Sequence, residues 1–154
     1  MIAVAIRAIL INLLIGMIVS CFATSGMAQT SSITDRNIIL ARQLAQCSGA
    51  YYASSETVIG TKGDPETAEE FHEKGNGFLL ATAQILTNAK QDDGFEAAYK
   101  RSEERAANIK FLWLGYIARV GDKGVLEINK VTKSCADSLG PKRDNILRLM
   151  RTQM

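Results

Sequence analysis

Cys47 and Cys135 stand far apart in the chain, each inside a segment whose apolar residues recur at helical spacing. In the earlier segment Leu40, Leu44, Cys47 and Tyr51 share one face, widened by Ala41, Ala45 and Tyr52. In the later one Ile128, Thr132, Cys135 and Leu139 do the same. Each face must be buried against another element, because alone it leaves apolar atoms in water. If the two thiols join, the two faces must meet, and every fold that keeps these segments apart is excluded. The expected pairing is therefore one disulfide, Cys47–Cys135. It closes a loop of about ninety residues, for which chain entropy gives roughly 4–5 kcal/mol of stabilisation. To bring the two cysteines to one height, the first helix must extend beyond the fourth.

A disulfide requires an oxidising compartment, and the amino terminus supplies an address. MIAVAIRAILINLLIGMIVSCFATSGMAQTSS carries Arg7, an apolar run from Ala8 to Val19, then small and polar residues. That order is a signal peptide over 1–28, cleaved after Ala28, with Gly26 and Ala28 as the small residues at the cleavage site. The apolar middle is roughly a dozen residues, against the ~20 a membrane-spanning helix needs; a retained anchor is the alternative. A second processing route is open. Ile18-Val19-Ser20-Cys21 resembles a lipobox, in which Cys21 becomes the lipidated first residue and tethers the protein to the envelope membrane. Both routes export the protein, to the periplasm or beyond it, and the cleaved chain keeps an even pair of cysteines.

The chain has 154 residues and a formal net charge of +2. With Arg7 removed in the leader, the remainder is close to neutral, so nothing electrostatic argues for nucleic acid or acidic substrates. Residues 29–154 are enough for one domain with its own core.

Four amphipathic helices are expected, over about 34–59, 65–90, 93–120 and 124–139, with a short fifth over 142–151. Thr34 can cap the first, with Ile33 and Ile38 as a hydrophobic staple. Asp64 caps the second, Pro65 takes its first position, and Glu66, Glu69 and Glu70 crowd the positive end of its dipole. Phe71, Gly75, Phe78, Thr82 and Ile85 form its inner face; Gly75 and Gly77 signal either a kink or a close helix crossing. The third opens at Asp92 or Asp93, runs through a charged stretch read as solvated, and then turns apolar at Ile109, Leu112, Trp113, Tyr116, Ile117 and Val120. Gly121 stops it. VLEINKV is read as helix, with a short strand as the alternative. Gly140-Pro141 interrupts the fourth segment, and the terminal piece either docks on the bundle or offers Lys142, Arg143, Arg148 and Arg151 to an anionic surface. The fold class is all-α: an antiparallel four-helix bundle stapled by one disulfide.

The chemistry-bearing residues are sparse. A Cys47–His72 dyad would need a free thiolate and a base, and the disulfide consumes that thiol. Cys47, Cys135 and His72 lack the paired spacing of a zinc site, and CSGAY lacks the second cysteine and the histidine of a haem-attachment motif. The carboxylate pairs Glu69 with Glu73 and Glu103 with Glu104 have the spacing of exposed helix faces. No catalytic residue, cofactor or metal is expected. Tyr51 and Tyr52 lie about 100° apart on their helix, so one can pack inward while the other reaches the boundary as an aromatic anchor at a protein interface.

In size, export and helicity the chain resembles small exported helical proteins of bacteria, such as immunity proteins against secreted toxins and acid-stress chaperones. It shares no motif with them, and no residue role follows. The functional expectation is a non-enzymatic exported protein that binds another protein, as an inhibitor, immunity or envelope accessory protein. The alternative is a bundle that binds haem, a metal or an apolar small molecule; an enzyme is the third reading.

Overall fold

The computed structural model describes residues 33–152. The expected leader with its cleavage after Ala28, and the lipidation candidate Cys21, lie outside the described residues.

Four helices account for most of this region: α1 (Ile33–Gly60), α2 (Pro65–Asn88), α3 (Phe95–Val120) and α4 (Asp122–Thr152). Their contacts fix the directions. Along α1 and α2, Ser48 meets Gly75 and Ser55 meets Ala68 through hydroxyl-to-carbonyl hydrogen bonds. Along α1 and α4, Cys47 meets Cys135 and Tyr51 meets Thr132. Both series run in opposite order, so α1 is antiparallel to α2 and to α4. The segment VLEINKV lies inside α4 and is helical.

The helix ends follow the local chemistry. Asp64 accepts from the Glu66 and Thr67 amides and from the Thr67 hydroxyl, and Pro65 begins α2. Both α1 and α2 end in a Schellman motif. Gly63 N–H donates to Val58 C=O and Lys62 N–H to Ile59 C=O; Gln91 donates to Leu86 and Lys90 to Thr87 in the same way. The residue in the left-handed position is a lysine in each case, Lys62 (φ 55°) and Lys90 (φ 52°). The opening of α3 departs from the sequence reading. The helix begins at Phe95 after Gly94, and Asp92 does not serve its dipole but pairs with Arg101 at 3.2 Å. Gly121 stops α3 as expected, and α4 follows at once.

The larger correction is at Gly140-Pro141. The expectation of a fourth helix ending at 139 and a separate fifth over 142–151 is overturned: α4 runs unbroken through Pro141 to Thr152. Proline in a helix interior removes one backbone hydrogen bond and its ring crowds the preceding turn. Two features offset this. Gly140 has no Cβ to meet the proline ring, and the residue whose carbonyl loses its partner, Asp137, is exposed to water. Packing on both sides then holds the helix straight through: Leu139 and Ile146 rest on the main core cluster, and Arg143 and Leu147 lie over Gly77. The longer α4 also changes how the cysteines meet. Each stands near the middle of its helix, so the first helix need not overhang the fourth.

The core lies between α1 and α2 and is closed by α4. Leu44, Tyr51, Phe78, Leu79, Ile85 and Leu86 fill it, but half of the buried apolar residues are alanine. Small residues let the helices approach closely. Gly75 faces the Tyr52 ring, where a Cβ would stand 2.7 Å from Cε1, and Gly77 lies under Arg143. Glycine here serves close crossings, and α2 continues through both positions. Most hydroxyls in the interior are bonded to backbone: those of Ser48, Tyr51, Ser55, Thr82 and Ser102 each donate to a carbonyl at 2.7–2.9 Å, whereas the buried Ser54 hydroxyl makes no hydrogen bond.

Candidate functional site

The sequence-derived candidates separate cleanly. Cys47 and Cys135 are joined, with Cα atoms 5.7 Å apart, so neither sulfur is free to act as nucleophile or ligand. Tyr51 is a core residue, 2% exposed. Its ring stacks on Phe78 at 5.5 Å and its hydroxyl donates to the Thr132 carbonyl at 2.9 Å. Burial pushes its phenol above the ordinary tyrosine range. Tyr52 is half-buried, and burial raises its phenol as well. Of the two tyrosines offered as interface residues, only Tyr52 reaches the surface.

Tyr52 borders a cleft of about 470 Å³ together with His72, Asn76, Tyr99, Glu103 and Lys110. Its hydroxyl donates to Asn76 Oδ1 at 2.6 Å, and its ring lies 5.2 Å from the exposed His72. Lys110 reaches across to Glu56 at 2.6 Å. The polar groups of this cleft largely engage one another. Among the described residues, no three of histidine, cysteine, aspartate and glutamate converge on a point where a metal ion could sit. Glu69, Glu73, Glu103 and Glu104 are all exposed.

The distinctive surface is on α3, where the sequence reading expected core. Its buried residues are Ala98, Ser102 and Ala106, all small and all in its first half. From residue 107 to 120 none is buried, although this half carries FLWLGYI. Phe111 is 76% and Leu112 71% exposed. Of the expected stripe, Trp113 and Ile117 do face inward, against Ala50, Ala53 and Ile128, and Ile109 lies over Gly49, but all three remain only partly covered. The reason is geometric. Gly49 brings α1 so close that a Cβ there would lie 2.7 Å from the Ala106 carbonyl oxygen, and beyond Ala106 the bulky side chains pack on the surface of Ala50, Ala53 and Ile128 and are only partly covered. Across the tight turn at Gly121, Gly124 lets α4 approach the Ile117 backbone in the same way.

What results is an open groove of about 730 Å³ between α3 and α4. Ile109, Leu112, Trp113 and Tyr116 form one wall and Val131 the other, with Lys123 and Glu127 at the rim. The Trp113 and Tyr116 rings meet edge to face at 5.9 Å, which holds them as a fixed aromatic ledge. Leu126 on α4 adds a further exposed apolar side chain at 61%. The missed signal was legible. Consecutive helical residues are 100° apart, so Phe111, Leu112, Trp113 and Leu114 wrap the whole circumference. One bundle core can cover one side of that ring only.

No family model, curated protein or solved structure matches this chain.

Proposed function

We propose that this is an exported, non-enzymatic protein that binds another protein through the apolar face of α3 and α4. The single observation that carries the reading is the half-helix 107–120: aromatic and aliphatic, yet without one buried residue. Leaving Phe111 and Leu112 in water forgoes roughly 1.5–3 kcal/mol for each, and exposed apolar patches on small domains mark interaction sites. Tryptophan and tyrosine are the residue types that anchor protein interfaces.

The occupant is the apolar face of an amphipathic helix. Ile109, Leu112, Trp113 and Tyr116 stand in rows at helical spacing along a linear groove, the form in which grooves receive a helix, and Lys123 and Glu127 offer both charges to its polar flanks. A small apolar ligand fits less well. The volume is in the usual range, but such ligands are largely enclosed, and the outer wall here is Leu112, itself 71% exposed.

Export is supported by the Cys47–Cys135 disulfide and by the signal-peptide order of residues 1–28. Among the described residues no helix is long and apolar enough to cross a membrane. Delivery follows cleavage after Ala28, or lipidation at Cys21 if the tethered route operates.

The test is capture from a native envelope extract, followed by identification. Wild-type protein and the remote control Ile39→Ala should retain the same partner, Tyr116→Ala should lose most of it, and a synthetic peptide from that partner's amphipathic helix should compete. Equal capture by Tyr116→Ala, or no competition by any helical peptide, would overturn the reading.

A further inference from the structure

The groove occupies one flank of α3, and a second surface remains on its solvent side. Glu104, Asn108, Phe111, Leu112, Gly115 and Arg119 are all exposed, and at 100° per residue they fall within about 50° of one line along the helix. Their order is self-complementary. Reversing the helix about the midpoint between Phe111 and Leu112 exchanges Phe111 with Leu112, Asn108 with Gly115, and Glu104 with Arg119. A two-fold axis at that midpoint therefore sets apolar against apolar, a side chain over a glycine, and opposite charges at both ends. That is the condition an isologous interface must satisfy.

Two further observations point outside the chain. Gly115 weakens the α3 interior by roughly 1 kcal/mol relative to alanine, yet among the described residues nothing beyond its own helix turn lies within 4 Å of where its Cβ would be. Gly49, Gly75, Gly77 and Gly124 are each crowded by a neighbouring side chain or backbone, while Gly60 ends α1 and Gly140 precedes Pro141. Glu104 and Arg119 make no ion pair among the described residues, whereas Lys110 on the same helix is paired with Glu56.

We infer that the solvent face of α3 is occupied by a second copy of this chain, in an antiparallel α3–α3 pair centred between Phe111 and Leu112. Each Glu104 then meets the other copy's Arg119, and Gly115 admits the opposing Asn108. The inference rests on reading the exposed half of α3 as a protein interface and assigns its solvent side, which shares Leu112 with the outer wall of the groove. In the dimer the two grooves open on either side of the two-fold axis.

Sedimentation equilibrium of the protein expressed with its own leader and purified without reductant tests this. The wild type should sediment with twice the chain mass, and Phe111→Glu with the single mass at unchanged helix content. Glu104→Arg alone and Arg119→Glu alone should each weaken the dimer about tenfold, since each sets like charges together twice, and the double exchange should restore it. A monomeric wild type, a dimer indifferent to Phe111→Glu, or a double exchange as weak as the single ones would each overturn the inference. Capture of the groove's partner by a monomeric wild type would leave the groove reading standing while this one falls.

Discussion

Gly49 sets the distance between α1 and α3, and through it decides what α3 can bury. A methyl group at this position would stand 2.7 Å from the Ala106 carbonyl oxygen and 2.6 Å from Ile109 Cβ. Backbone cannot yield as a flexible side chain can, so Gly49→Ala should destabilise the protein by about 1–2 kcal/mol, although alanine is the better helix former. Urea unfolding would show it; a neutral or stabilising result would mean that α1 and α3 are not in this contact. Asp64 makes a second prediction at this scale. The Thr67 hydroxyl and then the Thr67 amide hold its carboxyl below the usual carboxylate range. A group depressed in the folded state stabilises above its unfolded pKa, near 4, and that contribution fades as pH falls through the folded value. Melting of Asp64→Ala should therefore lie below wild type at pH 6, and the gap should narrow in strong acid. The role of Asp64 was plain in the sequence, because cap, proline and acidic first turn coincide there. That of Gly49 was not, since a glycine between Ser48 and Ala50 signals nothing until the crossing helix is known.

At the scale of elements, the Schellman ends of α1 and α2 carry Lys62 and Lys90 in the left-handed conformation. Side chains are strained there and glycine is not. Lys62→Gly and Lys90→Gly should each raise stability by about 0.5–1 kcal/mol in chemical denaturation, and a loss would show that the lysines make contacts the motif does not require. Helix α4 shows how tertiary packing outweighs a local signal. Gly140-Pro141 reads as a stop, and it would be one if the segment beyond it had nothing to pack on. Arg143 instead lies 4.8 Å from the centre of the Phe78 ring, and Leu147 lies near Gly77. The basic residues of the terminal segment thus include one that closes the core. α3 shows the converse. Its apolar half has the period of a core stripe, and its residues were expected to be buried because each helix was read by itself. Burial depends on the facing surfaces, and Gly49, Ala50 and Ala53 on α1 offer a surface that covers Trp113, Leu114 and Ile117 only in part and leaves Phe111 and Leu112 exposed.

At the scale of the molecule, the disulfide and the exposed half of α3 are the two features from which the account follows. Cys47–Cys135 spans a sequence separation of 88 residues, and the chain-entropy model gives roughly 4–5 kcal/mol for a loop of that size. Reduction, or the double substitution of both cysteines by alanine, should lower unfolding stability by up to that amount while the helix content of whatever remains folded is unchanged. Stability unaffected by reductant would mean that the bond does not form. The all-helical fold and this pairing were legible because periodicity and two inward cysteines speak for themselves. The groove was not read, although FLWLGYI announces more apolar surface than one core can accept. The central claim is that this surplus is a protein-binding face. Its most direct measurement is site-specific photo-crosslinking in cells, with a benzophenone side chain at position 112 and, as control, at the comparably exposed position 149. The account predicts a discrete protein adduct from position 112 and none from position 149, of twice the chain mass for a second copy and of another mass for a distinct partner. No adduct at position 112, or the same adducts at both positions, would contradict it.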